Sequence, residues 1–239
     1  MNSKIWVLIP AAGSGRRLET NLPKQYQLIL GKTVLGHSLQ AVQAVATAET
    51  LVVLSPNDEN WSSSKLNEEF SVHTCQGGAE RYLSVEQGLA MAESLGAEKQ
   101  DWILIHDAAR PCLHPNTLKD LLQALADETR DGLIVAVPCR DTMKYSSDGA
   151  VIKHTVDRTP LWQAQTPQCF RFAALKDALE YVKKNGIEIT DEAEAIERNG
   201  GEVGLLTGRY DNLKITFPED LELAEAILAK RRRTENKEH

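Results

Sequence analysis

Short, nearly continuous apolar runs rich in β-branched residues recur along this chain, and they constrain its fold more than any other feature. They are Ile5–Ile9, Leu51–Leu54, Trp102–Ile105, Leu133–Val137, Val203–Leu206 and Leu213–Thr216. Apolar character that does not alternate marks strands buried on both faces, the condition of a parallel sheet. Helical spacing separates most of the runs: Val34, Leu35, Leu39, Val42 and Val45; Leu118, Leu121, Leu122 and Leu125; Leu175, Leu179 and Val182. Ser84 with Gln87, and Thr216 with Glu219, have the spacing of capping boxes that open helices. Gly186 and Gly200 stand where helix C-caps are expected. Strands alternating with helices predict an α/β fold, a mostly parallel, twisted sheet flanked by helices. Such sheets bind ligands beyond the carboxyl ends of their strands.

At 239 residues the chain suits one large domain or two small ones, and no Pro/Gly/Ser linker divides it. One domain over 1–239 is expected. With 42% apolar and 26% charged residues, disorder, collagen-like and coiled-coil classes drop out. The net charge of −7 argues against a nucleic-acid binder, whose affinity comes mainly from phosphate neutralisation. It leaves room for a small anionic substrate, because local charge decides that. No run approaches a membrane span, and Met1-Asn2-Ser3-Lys4 leads straight into a strand, so neither membrane nor signal peptide is expected. Cys75, Cys112, Cys139 and Cys169 form no C-x-x-C pair and no disulfide framework, which points to free thiols in a reducing cytoplasm. Those spacings make a zinc site a poor bet. The cluster Lys230–Arg233 reads as the start of a solvated, frayed tail over 230–239.

One segment breaks the rhythm. Residues 139–158 hold two short β-like stretches around Ser146-Ser-Asp-Gly149, a hairpin signal. A two-stranded hairpin is marginal in water by itself. It either protrudes as an arm onto a second subunit or folds back on its own domain, and the residues themselves leave both open.

Several constellations carry chemistry. The first strand runs into Pro10-Ala-Ala-Gly-Ser-Gly-Arg-Arg17. This is no Walker A loop, and Leu18 stands where a dinucleotide fingerprint needs its third glycine. Gly13 and Gly15 let the backbone approach an anion, and Arg16, Arg17 and nearby Lys24 add cations, a set suited to a triphosphate. Without a ligand, the same residues make a tight turn with exposed arginines. His106-Asp-Ala-Ala-Arg-Pro111 follows a central strand, where Asp107 can hold Mg²⁺ on a nucleotide phosphate and Arg110 can orient it. A buried Asp–Arg pair shaping a loop is the plainer alternative. His106 reads as a packed residue, and no triad partner accompanies it. The double glycine Gly77-Gly78, followed by Ala79 and Ser84, offers backbone donors to a base or phosphate, with Ser84 by itself reading as an N-cap. Thr190-Asp-Glu192 starts a helix with acids in its first turn. Lys214 falls in the last apolar run and points either to solvent or into an anionic cleft.

Taken together, the order and spacing of these segments resemble one family, the 2-C-methyl-D-erythritol 4-phosphate cytidylyltransferases, from about Ile5 to Leu228. The resemblance rests on the Pro10–Arg17 loop, Pro23-Lys-Gln-Tyr26, Gly78–Ser84, His106–Pro111, Arg140-Asp-Thr-Met-Lys144, His154-Thr-Val-Asp-Arg158, Thr166-Pro-Gln168, Thr190-Asp-Glu192 and Asn212–Thr216. It implies a single Rossmann-like nucleotidyltransferase domain with a protruding hairpin arm. It implies that CTP sits on the Ala11, Ala12, Gly13, Ser14, Gly15 and Arg16 backbone, with Arg17 and Lys24 as the catalytic basic pair and Lys214 assisting. Gly78, Ala79 and Ser84 match the positions that read cytosine, and Asp107 and Ala108 those that meet ribose and metal. Thr142, Arg158, Thr166, Thr190 and Lys214 match the pocket of the acceptor polyol phosphate, Thr142 and Arg158 being supplied by the partner of a homodimer. Ala79 departs from the aspartate often found there. Mg²⁺, or another divalent cation, is the implied cofactor. A cytidylyltransferase for ribitol 5-phosphate would share the CTP half of these motifs. A glycosyltransferase would normally show a D-x-D motif where this chain has a single aspartate, and a non-catalytic nucleotide sensor need not keep Arg17, Lys24 and Asp107 together.

Overall fold

The computed structural model describes residues 3–13, 22–43 and 49–235. Among these, a seven-stranded sheet runs in the order β11-β7-β10-β6-β1-β4-β5. Its strands are β1 (Ile5–Pro10), β4 (Glu49–Leu54), β5 (His73–Gln76), β6 (Trp102–Ile105), β7 (Gly132–Pro138), β10 (Trp162–Arg171) and β11 (Val203–Thr207). All neighbours pair in parallel except β10, which is antiparallel to both β6 and β7. Two-residue strands β2 (Leu28–Ile29) and β3 (Lys32–Thr33) form a small separate hairpin.

Double-sided burial explains the continuous apolar runs. In β1, Val7 and Ile9 enter one core cluster while Trp6 and Leu8 enter the other. In β6, Trp102 and Leu104 separate from Ile103 and Ile105 in the same way. One face is covered by α1 (Val34–Gln43), α3 (Leu66–Glu69), which follows the short α2 (Asn60–Ser64), and α5 (Pro115–Ala124). The other is covered by α4 (Arg81–Ser94), α6 (Phe172–Asn185) and α7 (Glu192–Arg198). Each fully buried large side chain contributes about 1.5–3 kcal/mol, so these two clusters dominate the stability. Asp101, buried below them, accepts from Trp6 Nε1 at 3.0 Å and Lys4 N at 2.9 Å.

From β1 the chain moves outward to β4 and β5, then returns through α4 to β6 on the other side of β1. That reversal creates a crevice beyond the carboxyl ends of β1 and β6.

Four readings from the sequence need correction. Leu213–Thr216 is not a strand: Ile215 N donates to Ala109 O at 2.8 Å in the loop after β6, and the preceding Asn212 is tied to β10 only through its side chain, which bonds Gln165 and Thr166, so no backbone ladder forms. Ser84 caps no helix: α4 begins at Arg81, its N-cap is Glu80, and the Ser84 hydroxyl donates to Glu80 O at 3.2 Å. The chain does not fray at 230, because α8 (Pro218–Glu235) continues through the basic cluster, where Arg231 bonds Asp211 at 3.0 Å. At its start, Asp220 rather than Glu219 reaches back to Thr216 N at 2.8 Å. Gly186 and Gly200 take positive φ beyond α6 and α7, as C-caps do. The hairpin of β8 (Met143–Tyr145) and β9 (His154–Val156) forms its own two-stranded sheet, apart from the main one.

Candidate active site

The crevice holds a cleft of about 180 Å³ lined by Pro10–Gly13, Lys24, Gln25, Gly78–Arg81, Ser84, Asp107–Ala109 and Lys214. Two adjacent carbonyls at the end of β4 fix its walls. Val53 O accepts from Ala11 N and Leu54 O from Gly77 N, each at 2.8 Å. A Cβ on Gly77 would stand 2.6 Å from Ser84 Oγ and 2.9 Å from Ala12 Cβ, so only glycine lets the two walls approach this closely. Gln25 is buried and donates through Nε2 to Ala11 O and Gly13 O at 2.8 and 3.2 Å, clamping the loop after β1. No side chain caps α4, so the positive end of that helix faces the cleft.

Asp107 is the electrostatic centre. Lys214 Nζ lies 2.9 Å from its Oδ2, and Arg81 Nη2 lies 3.2 Å from its Oδ1. Arg110 Nε stands 3.5 Å from Oδ2, near enough for charge attraction but making no hydrogen bond. Burial, the largest effect on this carboxyl, raises its pKa, but Arg81, Lys214 and Arg110 together hold it well below the usual carboxylate range. The Nη1 of Arg81 bonds Glu192 Oε1, and Glu192 has no exposed surface. Lys24 Nζ donates to Ile215 O at 3.2 Å, which ties the Lys24–Gln25 wall of the cleft to the 212–216 segment.

Behind Asp107 the polar groups form one chain. Arg110 O can only accept, so His106 Nε2, 3.1 Å away, carries the proton. His106 Nδ1 then accepts from the Thr166 hydroxyl at 3.0 Å, and Thr166 Oγ1 accepts from Asp107 N at 3.0 Å. Complete burial lowers the His106 pKa to about 4, so the ring is neutral near pH 7, the packed role expected for it. Arg110 Nη1 donates to Asn212 O at 2.7 Å and holds the segment that presents Lys214.

The cleft thus gathers Ala11, Ala12, Gly13, Lys24, Gly78, Ala79, Ser84, Asp107, Ala108 and Lys214. Ser14, Gly15, Arg16 and Arg17 lie outside the described residues. The acceptor set is not gathered within this one chain. Thr166 is buried behind Asp107, and Thr142 and Arg158 are exposed on the hairpin arm. Thr190 bonds Glu194 and lines a separate open groove of about 510 Å³ with Ile134, Ala136 and Leu205. Sequence reasoning did not single out Gln25 or Arg81. Both sit beside recognised motifs, but only the fold shows their side chains turning into the cleft.

Among the described residues no three His, Cys, Asp or Glu side chains cluster as a metal cage. A carboxylate has about four lone-pair directions, so Asp107 Oδ1, which meets only Arg81, retains acceptor capacity. That capacity fits a hard divalent ion held mainly by oxygens from outside the protein, with Asp107 as its buried carboxylate ligand.

The family model for 2-C-methyl-D-erythritol 4-phosphate cytidylyltransferase matches residues 5–230. A relative of that name from Paraburkholderia phymatum is 43% identical over 234 residues, 96% of this chain and 98% of the relative. Another from Acinetobacter baylyi is 41% identical over 225 residues, 94% of this chain and 93% of the relative. A crystal structure of a 4-diphosphocytidyl-2C-methyl-D-erythritol synthase superposes with a TM-score of 0.82 at 38% identity, covering 95% of this chain and 100% of that one. The 2-C-methyl-D-erythritol 4-phosphate cytidylyltransferase from Thermus thermophilus gives 0.78 at 31% identity, covering 95% and 99%. With its α/β sheet, its cation-lined crevice and these matches along nearly its whole length, the chain belongs to the 2-C-methyl-D-erythritol 4-phosphate cytidylyltransferase family.

Proposed function

We infer that this chain transfers the cytidylyl group of CTP to 2-C-methyl-D-erythritol 4-phosphate in isoprenoid biosynthesis, giving 4-diphosphocytidyl-2-C-methyl-D-erythritol and pyrophosphate. Family membership over residues 5–230 carries the reaction, and the convergence of Lys24, Lys214 and Asp107 on one cleft supports where it happens. A phosphate oxygen of the acceptor attacks the α-phosphorus of CTP in line, the P–O bond to the β-phosphate breaks, and pyrophosphate leaves with that electron pair. The attacking group is already an anion, so the protein needs no nucleophile or strong base. Its work is to bring two polyanions together and to stabilise charge gathering on the five-coordinate phosphorus.

The residue roles are carried over from the motifs shared with the family. The backbone of Ala11 to Gly15, with Arg16, takes the triphosphate, and Arg17 and Lys24 stabilise the transferring phosphoryl group; Lys24 and Ala11 to Gly13 line the cleft. Gly78, Ala79 and Ser84 meet the cytosine, and Ala108 and Asp107 the ribose. Lys214 sits where the two substrates meet. When bound, Mg²⁺ would neutralise phosphate charge, with Asp107 as its protein ligand. The acceptor meets Thr166 and Thr190 of this chain, and Thr142 and Arg158 of a second copy. The exposed apolar residues Tyr145, Val151 and Ile152 on the arm support that homodimer, because a lone hairpin gains little from exposing them. A cytoplasmic location agrees with the free cysteines, and no helix among the described residues is long and apolar enough to cross a membrane.

The test is pyrophosphate release with CTP against a panel of polyol and sugar phosphates, with and without Mg²⁺. Release with methylerythritol phosphate alone, and only with the metal, is the expected result. Turnover with ribitol 5-phosphate instead would transfer the acceptor assignment to that substrate, and none with any acceptor would overturn the reading.

A further inference from the structure

Asp107 carries more positive charge than it can neutralise. Arg81, Lys214 and Arg110 all reach it, and Glu80, an exposed residue, is the only other acid lining the described part of the cleft. Arg81 differs from the other two in how it is held. Its guanidinium is gripped at both ends: Nη1 by Glu192 Oε1, Nη2 by Asp107 Oδ1 at 3.2 Å. The Glu192 end is inaccessible, because Glu192 is fully buried at the start of α7. The Asp107 end lies on the cleft wall, where the Arg81 side chain is one-third exposed.

Glu192 is expensive to keep there. Its Oε2 is buried and accepts no hydrogen bond, and a buried ion pair of this kind is a weak source of stability. Packing does not require it, since an apolar side chain would fill the same volume without the desolvation cost. What its carboxylate does achieve is to fix one edge of a planar, two-ended cation while the opposite edge faces the cleft. A lysine could not do this, because a single ammonium cannot present two separated donors in a fixed plane.

We propose that Arg81 is a further phosphate-directed cation of the transfer site and that Glu192 is its positioning residue. This rests on the cleft being the nucleotide site. Glu192 holds Nη1 throughout, and Nη2 exchanges the Asp107 carboxylate for a phosphoryl oxygen of the nucleotide. Asp107 keeps Lys214 and Arg110 when Arg81 turns away, so the exchange leaves no carboxylate stranded. Because Glu192 opens α7 two residues after Thr190, the same strut sets the spacing between the nucleotide wall and the acceptor side.

Chemical rescue tests this in the full-length enzyme, with pyrophosphate release from CTP and methylerythritol phosphate as the readout. Arg81→Ala should lower kcat about a hundredfold, as expected for removing one charge-stabilising donor, with a smaller effect on the KM for CTP. Added guanidinium should restore at least about tenfold of that loss by binding between Glu192 and the phosphate, and should restore nothing in Lys24→Ala. Glu192→Gln should lower kcat while leaving the melting temperature close to that of the parent. Turnover of Arg81→Ala near the parent rate overturns the proposal. So does a loss that guanidinium does not restore in a variant that melts normally, which would leave Arg81 a structural strut. If Arg81→Ala does not fold, Arg81→Lys carries the test: an unchanged kcat overturns the proposal, and a loss of about tenfold or more with KM preserved supports it. A parent enzyme without turnover on any acceptor would instead sink the assignment of the cleft itself.

Discussion

Lys24 bridges two parts of the cleft, since its ammonium bonds Ile215 O while its stem lines the wall beside Gln25. On the role proposed for it, Lys24→Ala should lower kcat by about two orders of magnitude with the fold intact, as expected for losing a preorganised charge at the transferring phosphorus. Steady-state kinetics beside a thermal melt check this, and near-normal turnover would contradict it. His106 is a different kind of residue, one that acts on stability. Its folded-state pKa near 4 lies below the unfolded value of about 6.5, so the unfolded chain binds more protons between those limits. Stability therefore falls as pH drops through that window, by about 2 kcal/mol between pH 7 and pH 5. Asp107 shifts in the same sense, its folded pKa lying below the usual carboxylate value, so its stabilising charge is lost as pH falls through and below the carboxylate range, mostly beneath the His106 window. Urea titrations across pH should show the slope in the parent and a clearly smaller one in His106→Gln, where His37, whose pKa burial also lowers, still contributes. That Gly78, Ala79, Ser84 and Asp107 would share a cleft followed from the resemblance of their motifs to one family, not from composition or spacing alone, which left Ser84 an N-cap and Asp107 open to a loop-shaping role. Arg81 and Glu192 were not legible, because a residue pair 111 positions apart leaves no local pattern.

Elements show the same division between local and non-local information. Strands buried on both faces were readable because continuous apolar runs have one simple explanation, and β1, β4, β6, β7 and β11 appear close to their expected limits. Strand β10 escaped, since it carries Gln163, Gln165, Pro167 and Gln168 and has a register shift between Ala164 and Gln168. Proline and paired glutamines read as a loop, and only the neighbours β6 and β7 make the segment a strand. The edge strand β5 escaped for a similar reason, its His73-Thr-Cys-Gln76 sequence being too polar and short. The run Leu213–Thr216 misled in the opposite direction: its apolar residues join the small core under α8, and its backbone bonds a loop. Contact between α4 and β1 gives the prediction at this scale. A Cβ on Gly88 would lie 2.0 Å from Leu8 Cδ1, and Leu8 is fully buried. Glycine to alanine gains about 1 kcal/mol in helix propensity, but overpacking costs about 1–3 kcal/mol and should win at so short a contact. Gly88→Ala should melt a few degrees lower than the parent, and a higher melting temperature would contradict the packing described here.

On the scale of the whole molecule, the single chain presents the cleft proposed for the nucleotide and leaves the proposed acceptor residues apart. Thr142 and Arg158 stand on an arm whose Val151 and Ile152 are more than half exposed. A second copy accounts for both facts. Sedimentation should give about twice the 26.5 kDa chain mass, and charged substitutions at Val151 and Ile152 should yield a monomer that binds CTP and transfers slowly. A monomeric parent, fully active, would contradict the arm's role. The acidic total charge also takes on its meaning at this scale: among the described residues Lys24, Arg81 and Lys214 gather at one crevice of an acidic chain, which suits small polyanions and not a polymer. The most direct measurement follows the oxygens. With ¹⁸O in the phosphate of methylerythritol phosphate, attack on the α-phosphorus of CTP requires every label to remain in the diphosphocytidyl product, one of them bridging, with unlabelled pyrophosphate. Label in pyrophosphate, or pyrophosphate formed from CTP with no acceptor present, would contradict direct transfer.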